Sequence, residues 1–103
     1  MASDNELFVR HLVGVFCAST PPIFTALRQA LAQADWLALA DAAHHLKSSL
    51  HGMGVAPLFE AIRELEACEA TPPAPDRTAW LVGEVMAATA EVMALLGQAF
   101  PGV

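Results

Sequence analysis

The chain has 103 residues, of which 5 are Lys or Arg and 11 are Asp or Glu, so its formal net charge is −6. A chain of this length predicts one domain, residues 1–103, because domains typically have about 100 to 150 residues. Binding to a phosphate backbone needs clustered basic side chains. The acidic balance therefore argues against a nucleic-acid partner and favours a protein or a small molecule.

Hydrophobic residues make up 55% of the chain, yet no uncharged apolar run reaches the ~18 residues that cross a bilayer. We therefore expect no direct membrane insertion. Cys17 and Cys68 fall in no metal or redox spacing, which favours reduced thiols in the cytoplasm. The N-terminus lacks the basic and apolar regions of a signal peptide.

Apolar residues recur at helical spacing from the N-terminus onward, without an alternating strand pattern. Ser3 and Glu6 fit a capping box, which predicts a first short helix. Thr20 followed by Pro21 has the order of an N-cap and a first-turn proline, which predicts the start of a second helix. Asp35 predicts the cap of a third helix.

The third helix is predicted to end at about Gly52, and Pro57 to begin a fourth that reaches about Ala70. Residues 71–76, TPPAPD, predict a loop, after which Asp76 would cap a last helix that Pro101 ends. Short connections favour antiparallel neighbours. The predicted fold is all-α, an up-and-down four-helix bundle with a short additional N-terminal helix.

The third helix carries three of the four histidines within the stretch AHHLKSSLHGMG, residues 43–54. A step of 100° per residue predicts that one stripe of this helix faces the core. That stripe consists of Trp36, Leu39, Ala43, Leu46, Leu50 and Met53. His44 projects away from the stripe and is predicted to face solvent, whereas His45 points elsewhere.

The side of the helix around His44 mixes small, apolar and ionisable residues, as a docking surface around one reactive side chain does. The residues expected on this partner-binding surface are Leu37, Ala40, Asp41, Ser48 and His51. Lys47 follows His44 by three residues, so their Cβ atoms are expected about 5 to 6 Å apart. At that distance the ammonium group can stabilise an anion held on the imidazole.

The sequence AHHLKSS followed by LHGMG resembles the signature of the histidine-containing phosphotransfer (HPt) domain, A-H-x-L-K-G-[SA] with a small-residue turn. The resemblance extends through STPPIFTALRQAL and VAPLFEAIRELE, and covers about Leu7 to Phe100. It implies a four-helix bundle with an extra short helix, in agreement with the helical periodicity.

The resemblance implies that His44 is the phospho-acceptor and that Lys47 is the cation that stabilises the phosphoryl group. Ser48 departs from the pattern, because the family usually has glycine there, which leaves room for the partner to close over the histidine. Gly54 matches the turn glycine of the family. Leu65 and Glu66 match the L-E that ends the next helix of the family.

The implied function is a phosphorelay step in two-component signalling, in which His44 takes a phosphoryl group from a receiver-domain aspartate and passes it to another. The chain has no glycine-rich phosphate loop and no carboxylate cluster for magnesium. It is therefore expected to bind no cofactor, while Mg²⁺ belongs to the receiver. The chain would be a monomer in the cytoplasm, or else the C-terminal part of a hybrid sensor histidine kinase at the inner membrane.

Three other interpretations use the same residues. A metal site would draw on Asp41, His44 and His51, but two turns of helix separate the imidazoles by ~10 Å, too far to share an ion. A docking or regulatory module would bind a receiver, a kinase or another partner without carrying phosphate. A helical dimerisation domain would use the apolar excess of the last helix, independently of His44.

Overall fold

The computed structural model describes residues 4–54, 59–71 and 74–102. It contains four helices: α1 (Asp4–Gln33), α2 (Trp36–Gly52), α3 (Phe59–Glu66) and α4 (Pro75–Ala99). A short 3₁₀ turn, Ala67–Glu69, continues α3. The described residues form no strand, and the predicted all-α bundle is confirmed.

Helix α1 corrects the predicted break between the first two helices. It runs through Pro21 and Pro22 as one helix of 30 residues, so the short additional helix is the N-terminal part of α1. Both proline rings are exposed, and the buried stripe continues across them without a change of face. Its buried members are Val13, Phe16, Thr20, Leu27 and Ala30.

The burial of this stripe against the bundle holds α1 together where the prolines remove backbone donors. Thr20 does not act as an N-cap. Its hydroxyl donates a hydrogen bond of 2.7 Å to the carbonyl of Phe16 within the same helix. The capping box predicted from Ser3 lies outside the described residues.

The connection from α1 to α2 is a tight turn at Ala34 and Asp35. Ala34 has a φ of 52°, the left-handed conformation that ends many helices. The carboxylate of Asp35 accepts a hydrogen bond of 3.1 Å from the backbone N–H of Ala38. The predicted N-cap at Asp35 is therefore confirmed, as is the end of α2 at Gly52.

Helices α3 and α4 differ in detail from their predicted boundaries. The predicted start at Pro57 lies outside the described residues, and α3 ends at Glu66 before the 3₁₀ turn. Helix α4 begins at Pro75, and Ala74 occupies the cap position without a side-chain hydrogen bond. The predicted cap at Asp76 is wrong, because the fixed φ of Pro75 already suits the first helical position.

Helix α2 packs against α1, α3 and the 3₁₀ turn. Its predicted core stripe is confirmed at four positions that are fully buried, whereas the end positions Trp36 and Met53 are half-buried. These four are Leu39, Ala43, Leu46 and Leu50. The thiol of Cys68 donates to the carbonyl of Trp36 at 3.3 Å and so ties the 3₁₀ turn to the start of α2.

The molecule is elongated, with extents of 52 × 18 × 18 Å. Near one end Arg10 of α1 donates a hydrogen bond of 3.4 Å to the carbonyl of Pro101, and its guanidinium lies over the ring of Phe100. By length and composition alone, α1 and α4 are apolar enough to cross a membrane. In these apolar windows 17% of α1 and 22% of α4 is buried, and both helices contact the rest of the bundle.

Candidate functional site

One side of α2 is exposed along its whole length and carries most of the predicted site. Leu37, Asp41, His44, Ser48 and His51 are all exposed. They follow one another at steps of three and four residues, so they form a continuous stripe. The side chain of His44 is 62% exposed, which confirms its predicted orientation toward solvent.

Ala40 is the exception and corrects the prediction. Its side chain is only 7% exposed and belongs to the core. Ala40 lies seven residues before Lys47, on the flank of α2 that faces α3 and the 3₁₀ turn. Periodicity alone could not predict which flank the next helix would cover, so Ala40 does not contribute to the exposed surface.

Glu66, the last residue of α3, brings His44 and Lys47 together. The Nδ1 atom of His44 lies 3.1 Å from Oε2 of Glu66. The Nζ atom of Lys47 lies 2.9 Å from Oε1 and 3.2 Å from Oε2 of the same carboxylate. The Glu66 side chain is only 22% exposed. The site is therefore a triad across two helices, with one carboxylate between an imidazole and an ammonium group.

The charges of the triad keep Glu66 ionised. Burial by itself raises the pKa of this carboxyl group, but the hydrogen bonds from Lys47 and His44, together with their charges, lower the pKa below its usual value of 4.5. An ionised carboxylate only accepts hydrogen bonds. The hydrogen-bonded proton between the two residues is therefore assigned to Nδ1 of His44. In the neutral form of an imidazole with a proton on Nδ1, the lone pair is on Nε2.

The sequence did not assign a role to Glu66. It lies 22 residues after His44, a separation that no helical period connects, and its carboxylate reaches the imidazole only because α3 packs antiparallel to α2. The one available signal was its place in the L-E pair at the end of α3. That signal marks a helix end and carries no information about the partner of the side chain.

The other histidines near His44 play different structural parts. The ring of His45 makes an edge contact with the ring of His44, with 6.5 Å between centroids. His51 lines a groove together with Lys47, Ser48 and Arg63. Over the part of the chain that the structure describes, no group of three or more His, Cys, Asp or Glu side chains is arranged to hold a metal ion.

Comparison with known proteins identifies the family. The model of the Hpt domain family matches residues 11–99, which include His44, Lys47 and Glu66. No curated protein and no solved structure matches the chain.

Proposed function

The chain belongs to the Hpt domain family, which acts in phosphotransfer of two-component signalling, and from this premise we propose that His44 is the phosphoryl acceptor. In this proposal a receiver-domain aspartyl phosphate donates the group and a second receiver aspartate later takes it. Receiver domains are the general partners of Hpt domains. The observation that supports the proposal most directly is the hydrogen bond between His44 and Glu66.

The chemical step uses the free ring nitrogen. The Nε2 lone pair attacks the phosphorus atom, an N–P bond forms, and the P–O bond to the aspartate breaks with its electrons leaving on the carboxylate. The imidazole gains positive charge while Nδ1 keeps its proton. Glu66 faces that proton and stabilises the charge, as an orienting carboxylate does for other reactive histidines. The reverse step delivers the group to the next aspartate.

Lys47 supplies charge on the protein side of the transfer. Its ammonium group carries three N–H donors, so it can keep a hydrogen bond to Glu66 and still donate to a phosphoryl oxygen. Its side chain is 33% exposed, so part of it is open to an approaching partner. We propose that the receiver contributes the Mg²⁺ and the remaining positive charge, since phosphoryl transfer depends mainly on positioning and charge neutralisation.

Transfer of labelled phosphate tests this function. We expect receiver domains prephosphorylated in the presence of Mg²⁺ to label the wild-type protein, and the label to be acid-labile and alkali-stable. His44→Gln should take up none, whereas Lys47→Ala should transfer more slowly or lose its label faster. Labelling of His44→Gln equal to wild type would overturn the assignment. Binding without label would favour the docking module.

The same proposal places the protein on the cytoplasmic side of the membrane, where receiver domains act. It applies equally to a free protein and to a domain of a hybrid sensor kinase, because the triad on α2 and α3 is complete within this chain. Fractionation of cells that express the tagged full-length gene product separates the two cases. Recovery of the tagged protein in the soluble fraction would support a free protein. Recovery in the membrane fraction would support a tethered kinase.

A further inference from the structure

A groove of about 410 Å³ opens beside His44 and is lined by Lys47, Ser48, His51 and Arg63. Ser48 and His51 continue the exposed stripe of α2, and Arg63 comes from α3. All of these residues except Lys47 are exposed. A protein that approaches His44 closely enough to exchange a phosphoryl group would therefore also cover this groove.

Arg63 gives the groove a positive charge that the protein itself does not neutralise. Within residues 4–54, 59–71 and 74–102, the side chain of Arg63 makes no hydrogen bond and no ion pair. Three other cations of the chain have carboxylate partners, in the pairs Arg10–Glu6, Lys47–Glu66 and Arg77–Glu64. Among the described residues the side chain of Arg28 has no ion pair either, but Arg28 does not line the groove. Arg63 is therefore distinguished by its place in the groove beside Lys47 and Ser48.

The groups that line the groove suit a carboxylate. A guanidinium presents five N–H donors in a planar fork that binds a carboxylate through two parallel hydrogen bonds. Lys47 and Ser48 line the same groove from α2, and both side chains carry hydrogen-bond donors. Because the groove is open to water, a small free anion would gain little there. A carboxylate delivered by a docked protein has a far higher effective concentration.

We propose that this groove receives an acidic side chain of the receiver domain that exchanges the phosphoryl group with His44, and that Arg63 recognises it. The inference rests on the proposed function and extends it to partner choice. Receivers bind Mg²⁺ through clustered carboxylates, so their phosphorylation site complements the charge of the groove. Arg63 would select receivers that carry an acidic residue beside that site.

Transfer kinetics at varied receiver concentration test the inference. The probe is a prephosphorylated receiver domain that labels the wild-type protein. Arg63→Glu should raise the half-saturating receiver concentration about three- to tenfold, with the maximal rate changed less than about twofold. The half-saturating concentration for Arg63→Lys should lie closer to that of wild type. The difference between Arg63→Glu and wild type should shrink as salt screens the charges. Arg28→Glu on α1, an exposed arginine outside the groove, is the matched control.

Two results would overturn the inference while the proposed function stands. Arg63→Glu could show the same concentration dependence as Arg28→Glu, in which case the groove does not contact the receiver. It could instead lower only the maximal rate, in which case Arg63 acts on the phosphoryl group. Failure of the proposed function is distinct, because then the wild-type protein itself would take no label from any receiver.

Discussion

In the proposed reaction Glu66 orients His44, because its carboxylate contacts both Nδ1 of the imidazole and the ammonium group of Lys47. An exposed histidine without such a partner rotates freely and exchanges its proton between two ring nitrogens. The hydrogen bond at Nδ1 orients the ring and would leave Nε2 as the nucleophile in the proposed reaction. The chemistry of the site is therefore assigned to three residues on two helices.

Replacement of the carboxylate tests this role. We expect Glu66→Gln and Glu66→Ala to accept the phosphoryl group about tenfold more slowly than wild type, the size seen when a reactive imidazole loses its orienting partner. Single-turnover transfer from a labelled receiver measures the rate. The matched control is Glu60→Gln, an exposed carboxylate on the same helix. Equal rates for the Glu66 and Glu60 variants would show that the hydrogen bond has no part in transfer.

The same substitution should also reveal a pH-dependent contribution to stability. The pKa of Glu66 is lowered in the folded protein, so its stabilisation is fully present above the unfolded value near 4.5 and is lost as the pH falls through the folded value. At pH 7, Glu66→Gln should lower the free energy of unfolding by about 1 kcal/mol.

Urea unfolding at pH 7, and again at the lowest pH at which both proteins remain folded, measures this effect. The difference between wild type and Glu66→Gln should shrink toward zero under acid, because a protonated glutamate resembles glutamine. A difference that stays constant with pH would mean that packing of the side chain, and not its charge, provides the stability.

At the scale of elements, α1 shows how tertiary packing outweighs a local signal. Thr20 and Pro21 have the sequence of a helix start, yet α1 continues through Pro21 and Pro22. A proline inside a helix removes one backbone hydrogen bond and crowds the carbonyl four residues earlier. Helix α1 remains continuous despite this destabilisation, because buried residues before and after the two prolines pack against the bundle.

Replacement of one proline distinguishes a continuous helix from two separate ones. In a continuous α1, Pro22→Ala restores an N–H donor to the carbonyl of Ala18 and should raise the free energy of unfolding by about 1 to 3 kcal/mol. Thermal unfolding should then shift upward by several degrees. Pro75→Ala is the matched control, because Pro75 lies at the start of α4, and should bring no such gain. An unchanged stability for Pro22→Ala would support a helix that starts near Thr20.

Sequence periodicity predicted the features of α2 that depend on that helix alone. The cap at Asp35, the core stripe of α2 and the exposure of His44 follow from the residues of α2 and its first turn. Burial of Ala40 and the position of Glu66 depend on where α3 packs, which no local pattern encodes. The signature around His44 suggested it as the acceptor that we propose, while its carboxylate partner became visible only in the packed structure.

At the scale of the whole molecule, large apolar side chains are exposed at several places, among them Leu37 and Leu95 on different helices. Leu37 is 54% exposed on α2, two helical turns before His44. Leu95 is 58% exposed on the C-terminal part of α4. If receivers dock around His44, the first leucine should be covered in the complex and the second should not. The two residues therefore form a matched pair for locating the interface.

We expect Leu37→Asp to raise the half-saturating receiver concentration about tenfold, because the complex loses the burial of one leucine and gains a charge in its interface. Leu95→Asp should behave as wild type. Transfer kinetics measure both, and sedimentation equilibrium should give the mass of a monomer for each protein. If both variants raised the half-saturating receiver concentration equally, receiver docking would not be confined to the exposed face of α2. A mass that falls only in Leu95→Asp would mean that the wild type dimerises through α4, leaving the His44 face free for the receiver.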